Sequence, residues 1–177
     1  NADDEIIIPE PYYANYISFS EAFDAVCVPI TSSFDNNFAL PPIEEFEKKI
    51  TPKTKAFLIC NPGNPTGYLY SKEEILQLAA IAKKYDIFLI FDEVYREFVY
   101  DGAQHFSIMQ VLDIEQNAIM IDSVSKRFSM CGARIGWVVS KNKEVMKSIL
   151  KFAQARLSPT TYSQIGAEKA FDVPETY

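Results

Sequence analysis

Ile87-Phe88-Leu89-Ile90-Phe91-Asp92-Glu93-Val94-Tyr95 is the most informative segment of this chain for its architecture. The run Ile87–Phe91 is apolar without interruption, so a strand here is buried on both faces. That is the pattern of a parallel sheet covered by helices on both sides. Just upstream, Ser71–Tyr85 has helical periodicity, with Ile75, Leu78, Ala82 and Tyr85 on one apolar face. Ser71 with Glu74 makes a capping box, and Lys83-Lys84 suit the C-terminal end of the helix dipole. A helix that feeds a doubly buried strand is the repeating unit of an α/β sheet.

The same alternation extends outward. Further strands are expected at Glu5–Ile8, Ala25–Ile30, Ala56–Cys60, Ala118–Ile121 and Arg134–Val139. Tyr12, Tyr16, Phe19 and Phe23 recur at helical spacing and predict one buried helix face. Ile43, Phe46 and Ile50 predict a short helix opened by Pro41-Pro42. Asn142–Arg156 predicts another, with Val145, Ile149 and Phe152 facing inward. The link from Ile121 to Arg134 is too short for a crossover helix, so the last strand is expected to be antiparallel. The fold class expected is therefore α/β: a mostly parallel open sheet, helices on both faces, last strand antiparallel. No internal repeat or linker-like tract interrupts it.

Composition narrows the possible functions. The chain has 177 residues, 48% of them hydrophobic and 23% charged. These are globular values, and a prior of ~150 residues per domain gives one domain. A bilayer span needs roughly 18 or more apolar residues, and no such run is present. The 24 acidic and 17 basic residues leave a net charge of −7, which argues against nucleic acid as a partner. Cys27, Cys60 and Cys131 show no C-x-x-C spacing and suit a reducing, cytoplasmic setting, as small core residues. The single histidine, His105, excludes a multi-histidine metal site and reads as an exposed loop or cap residue. No initiator Met or signal core opens the chain, and the expectation is a piece of a longer protein.

Open α/β sheets bind ligands beyond the carboxyl ends of their strands. Three predicted strand ends release Asn61-Pro62-Gly63-Asn64-Pro65-Thr66-Gly67, then Asp92-Glu93-Val94-Tyr95, then Asp122-Ser123-Val124-Ser125-Lys126. Arg134 follows closely. An amide, a carboxylate, a phenol, an amine and a guanidinium thus converge on one sheet edge. Each alone has an ordinary reading: turn chemistry for the Asn-Pro pairs, a first loop residue for Asp92, surface charges for Lys126 and Arg134.

Taken in order, Asn-Pro-x-Asn-Pro-Thr-Gly, Asp-x-x-Tyr, Ser-x-x-Lys and Arg-Ile-Gly resemble the class I/II aminotransferases, pyridoxal-phosphate enzymes of fold type I. Ser123–Gly136 is similar to the lysine-attachment signature at each constrained position, and Pro9–Tyr16 also resembles these proteins. The resemblance covers almost the whole chain. It implies pyridoxal 5'-phosphate as cofactor and Lys126, Asp92 and Tyr95 as catalytic residues. Lys126 is implied as the Schiff-base amine and proton shuttle, and Asp92 as partner of the pyridine nitrogen. Asn64 and Tyr95 are implied at the ring hydroxyl, Ser123 and Arg134 at the phosphate, and Tyr13 stacked on the ring. It also implies a six-stranded remnant of a seven-stranded sheet.

On this reading residues 1–177 are a single partial domain, the cofactor-binding large domain without its N-terminal part and the small domain. The implied reaction moves an amino group between an L-amino acid and a 2-oxo acid, in a homodimer, with no membrane or nucleic-acid partner. The piece alone is expected not to turn over, because the arginine that grips the substrate carboxylate lies outside it. Aspartate and aromatic aminotransferases share these motifs, so the donor stays open. Alternatives are another fold type I reaction, carbon–sulfur lysis or decarboxylation, and a non-catalytic fragment. A serine acyl-enzyme is a further one, since Ser123–Lys126 is formally S-x-x-K, but its companion motifs are absent.

Overall fold

In the computed structural model, which describes residues 2–174, six strands form one sheet in the order β2-β1-β3-β4-β5-β6. They are β1 Glu5–Glu10, β2 Val26–Thr31, β3 Thr54–Cys60, β4 Phe88–Asp92, β5 Ala118–Ser123 and β6 Gly136–Val139. Strands β1 to β5 pair in parallel and β6 pairs antiparallel with β5, as expected. The helices are α1 Asn15–Glu21, α2 Ile43–Lys49, α3 Lys72–Tyr85, α4 Val124–Arg127, α5 Lys143–Arg156 and α6 Thr161–Ala170. Between β5 and β6 the only α-helix is the single turn α4. That turn cannot carry the chain back across the sheet, so β6 must return antiparallel.

The doubly apolar strands sit in the middle. Phe57, Ile59, Leu89 and Phe91 are wholly buried, and α3 covers their face with Ile75, Leu78 and Ala82. Phe46 of α2 meets Phe57 edge-on at 5.3 Å. The capping box forms as expected: the Glu74 N–H donates to Ser71 Oγ at 3.2 Å, and the Ser71 N–H donates to Glu74 Oε2 at 2.7 Å. On the opposite face a smaller cluster joins Ile8, Leu58 and Tyr16 of α1.

Five packing expectations need correction. Helix α1 ends at Glu21 and buries Tyr16 and Ser20, which leaves Phe19 62% and Phe23 71% exposed. Phe152 is likewise 67% exposed; it meets Phe23 edge-on at 6.4 Å, away from the sheet. Tyr85, the last residue of α3, is also exposed. Cys131 is exposed, and Cys27 and Cys60 are partly buried. Among the described residues no helix is long and apolar enough to cross a membrane, and no group of His, Cys, Asp or Glu is placed to hold a metal ion.

His105 is the fifth correction. Its side chain is 6% exposed and lies 3.8 Å from the buried Glu93 carboxylate. Burial first, and then Arg96, push the imidazole down to about 4 from 6.5. The folded chain therefore holds a neutral imidazole that the unfolded chain protonates first. The stability this gives is complete above pH 6.5 and is lost as pH falls toward 4. His105→Gln is expected to remove about 1–2 kcal/mol of acid sensitivity in that window. Urea midpoints at pH 7 and pH 4.5 measure it. Equal pH slopes for variant and parent would rule out this buried neutral imidazole.

Candidate active site

Three strand ends build the site. Beyond β3, Asn61 is buried and its Oδ1 accepts the Tyr70 N–H at 3.0 Å, so this first asparagine serves the turn. The Asn64–Pro65 bond is cis, and so is Asn61–Pro62. Gly67 closes the turn at φ +72°, a conformation costly for residues with a Cβ, and its N–H donates to Gly63 O at 2.8 Å. Beyond β4, the Glu93 N–H donates to Ile121 O at 2.8 Å, which places the Asp92 turn beside the end of β5. Beyond β5, Ser123 caps α4, with its Oγ accepting the Ser125 N–H at 3.1 Å.

These ends line one cleft of about 350 Å³. Every residue named from the sequence is there: Tyr13, Asn64, Asp92, Tyr95, Ser123, Lys126 and Arg134. Lys126 Nζ lies 5.6 Å from the centre of the Tyr95 ring. Tyr13 stands at the rim, its ring perpendicular to that of Tyr16 at 5.6 Å. Arg134 is held at φ +55°, and its Nη1 donates to Cys131 O at 2.9 Å. A left-handed backbone costs a residue with a Cβ roughly 1–2 kcal/mol. The fold accepts that cost where it presents a guanidinium to the cleft. Next to it a shallower recess of about 180 Å³ is lined by Ser123, Ser125, Arg134 and Gly136, a group of hydroxyl and guanidinium donors suited to an anion.

Gly136 lets this recess exist. A Cβ there would come within 2.9 Å of Asp122 O and 3.2 Å of the Ser123 Cβ. Gly136→Ala is therefore expected to push β6 off the end of β5, costing about 1–3 kcal/mol by overpacking. It should also weaken anion binding at Ser123 and Arg134. Thermal unfolding with and without inorganic phosphate checks both effects. An unchanged melting curve would show that the backbone contact is slack.

The electrostatics centre on Asp92. Its Oδ2 accepts the Tyr16 hydroxyl at 2.7 Å, and its Oδ1 accepts the Val94 N–H at 3.1 Å. Burial raises its carboxyl above the usual carboxylate range, and those two donors oppose the rise. Among the described residues no lysine or arginine pairs with it. A buried carboxylate held in plane by two donors and open on the cleft side is suited to a cationic N–H partner.

Sequence reasoning missed several lining residues. Tyr16 was assigned only to a core face. Its signal was its place three residues after Tyr13: the turn that leads into α1, where the Tyr16 N–H donates to Tyr13 O at 3.0 Å, brings both residues to the cleft. Cys60 lies beside Asp92; burial and then that carboxylate push its thiol up to about 12, so it is an inert filler. Ser125 and Cys131 also reach the cleft; both fall within Ser123–Gly136, but neither was given a role there.

Comparison with known proteins agrees with this geometry. Residues 1–176 match the family described as aminotransferase class I and II. Aspartate aminotransferase from Bacillus sp. (strain YM-2) is 37% identical over 99% of this chain and 45% of its own length. The crystal structure of aspartate aminotransferase from Thermotoga maritima superposes with a TM-score of 0.92 at 32% identity, over 100% of this chain and 47% of that one. An aromatic aminotransferase from Pyrococcus horikoshii gives 0.90 at 28% identity, over 99% of this chain and 47% of that one. The chain thus spans just under half the length of the relatives it matches. Because the match runs over nearly every residue and the fold reproduces it, this chain belongs to the class I and II aminotransferases.

Proposed function

We propose that this chain is the cofactor-binding part of a pyridoxal-phosphate-dependent aminotransferase that moves an amino group between an L-amino acid and a 2-oxo acid. One observation carries the reading. A lysine, a buried carboxylate and an anion recess line a single cleft at the carboxyl edge of a parallel sheet. The donor set fits pyridoxal 5'-phosphate at each end. Arg134 and Ser123 would hold the phosphate, Asn64 and Tyr95 the ring hydroxyl, Asp92 the ring nitrogen, and Tyr13 the ring face.

The bound cofactor supplies an electrophilic aldehyde and a cationic ring that accepts electrons. The chain's own residues do the rest. Among the described residues Lys126 is the only amine lining the cleft, so its Nζ would be the covalent tether. Once released, the same Nζ takes and returns the proton of the substrate α-carbon, a role worth roughly 10²–10⁴-fold. The Tyr95 ring lies beside that amine and limits its swing. Asp92 keeps a proton on the ring nitrogen, with Tyr16 and Val94 fixing the carboxylate plane. Arg134 is the only guanidinium lining the cleft among the described residues, so a substrate carboxylate has no second bidentate partner there. We therefore propose that the chain alone captures cofactor without sustained turnover. Turnover then belongs to a longer, homodimeric, cytoplasmic protein.

The test is to mix the purified chain with pyridoxal phosphate, reduce with borohydride and map the label by mass spectrometry. A parallel coupled assay offers aspartate, then aromatic donors, with 2-oxoglutarate. One label per chain, on Lys126, and no sustained turnover is the expected result. Label spread over exposed lysines would remove the cofactor reading, and steady turnover would overturn the claim of insufficiency.

A further inference from the structure

Lys126 stands on α4, a helix of one turn. So short a helix cannot hold its own shape, because nucleation costs more than one turn of hydrogen bonds returns. Its N-terminal end is well anchored. Val124 is fully buried, Ser123 caps the turn, and the Ser123 N–H donates to Asp122 Oδ1 at 2.7 Å. Lys126 lies toward the other end. There the polar anchor is Arg127, a residue not assigned to the cofactor cleft. Its Nη2 is 3.0 Å from Glu97 Oε1 and 3.3 Å from Asp122 Oδ2. Its guanidinium also lies 5.9 Å and 6.0 Å from the Phe128 and Trp137 ring centres.

The two carboxylates belong to different parts of the site. Asp122 is on β5, directly before the lysine turn, and is 1% exposed. Glu97 closes the compact turn that begins at Asp92 and carries Tyr95; within it the Arg96 N–H donates to Glu93 O at 2.9 Å and the Phe98 N–H to Tyr95 O at 2.8 Å. One guanidinium thus ties the lysine turn to the turn holding the other two proposed catalytic groups. The Arg127 side chain is 17% exposed and Asp122 is 1% exposed, so their contact is weakly screened by water, while Glu97, 54% exposed, meets the guanidinium from the solvent side. A planar guanidinium can meet two carboxylates and lie over two rings at once, which an ammonium cannot.

We propose that Arg127 is a positioning residue: by bridging Glu97 and Asp122 it clamps the Lys126 turn against the Asp92–Tyr95 turn and so sets where the Lys126 amine stands in the cleft. The amine's role rests on the cofactor reading above, but the clamp itself does not. Reaction rates fall steeply when reacting atoms are misplaced by even an ångström. A slack turn should therefore let Lys126 react more like a surface amine.

The test uses the whole chain with Arg127→Met, Glu97→Gln and the double variant. Amide hydrogen exchange is followed across 123–128 and, as reference, across Thr54–Cys60. Borohydride trapping of pyridoxal phosphate is mapped as the share of label on Lys126 against Lys147 and Lys151. Each single variant is expected to speed exchange in 123–128 about tenfold, to leave Thr54–Cys60 unchanged, and to lower the Lys126 share several-fold. The double variant should be no worse than Arg127→Met alone, because Glu97→Gln removes a link that Arg127→Met has already broken. Unchanged exchange in 123–128, equal acceleration throughout the sheet, or independent effects in the double variant would each overturn the clamp. If the unsubstituted chain takes no label on Lys126, the cofactor reading fails, and the exchange measurements alone decide the clamp.

Discussion

Lys126→Ala is expected to abolish covalent capture of pyridoxal phosphate while leaving the fold intact. Among the described residues Lys126 is the only amine lining the cleft, so no described neighbour can replace it. Its described contact there is with the Tyr95 ring, 5.6 Å away, and such a contact contributes about 0.5–1 kcal/mol. The variant should therefore unfold within about 1 kcal/mol of its parent, and loss of capture cannot be blamed on unfolding. Lys126→Arg should fail equally, because a guanidinium keeps the charge but is no nucleophile at neutral pH. In the longer protein the rate should fall by about 10⁴-fold or more, since nucleophile and proton carrier disappear together. Borohydride labelling, a melting curve and single-turnover kinetics are the measurements. A variant that still takes one label per chain would move the tether to another lysine and undo the site as drawn.

Much of this site was legible in the sequence because its residues sit where chain direction leaves no choice. A doubly apolar strand such as Ile87–Phe91 must be central, and a parallel strand must deliver Asp92 to the same edge as Ser123. Asn64 and Lys126 follow by the same rule, and Arg134 reaches that edge because the short link after Ile121 forces β6 to start there and run antiparallel. What escaped depended on side chains meeting across the fold. Tyr16 looked like a core aromatic, yet its hydroxyl finds Asp92 Oδ2, 76 residues along the chain. His105 looked like a loop residue; its burial comes from folding the loop after β4 back over Glu93, whose Oε1 accepts the Ser107 hydroxyl at 2.8 Å and the Ile108 N–H at 2.9 Å. Phe23 follows the helical period, but α1 stops at Glu21 before reaching it, and Phe19 lies off the buried face, which runs through Tyr16 and Ser20. Periodicity predicts a face only as far as the helix runs.

Asp92→Asn should separate stability from chemistry, because its two effects have opposite signs. Burial raises the Asp92 carboxyl above 3.8, so the folded chain holds an ionised form that its surroundings disfavour. In the free chain at neutral pH this ionised form lowers stability. The amide has a similar shape, can accept from the Val94 N–H, and carries no charge to desolvate. The variant should therefore be at least as stable as its parent at pH 7. Its advantage should fade as pH falls through the raised folded value toward 3.8, where the parent becomes protonated in both states. Chemistry should move the other way. A neutral amide cannot keep a proton on a ring nitrogen, so capture at Lys126 should survive while substrate turnover in the longer protein falls about 10³-fold or more. Tyr16→Phe removes one donor but leaves the charge, and should cost only about tenfold. Denaturant midpoints across pH 4–8, paired with single-turnover rates, test the whole pattern. A gain in stability with a loss of rate marks a charge kept for function at the expense of the fold. If stability and rate fell together, Asp92 would be a structural carboxylate, and the cationic partner proposed for it would have no support.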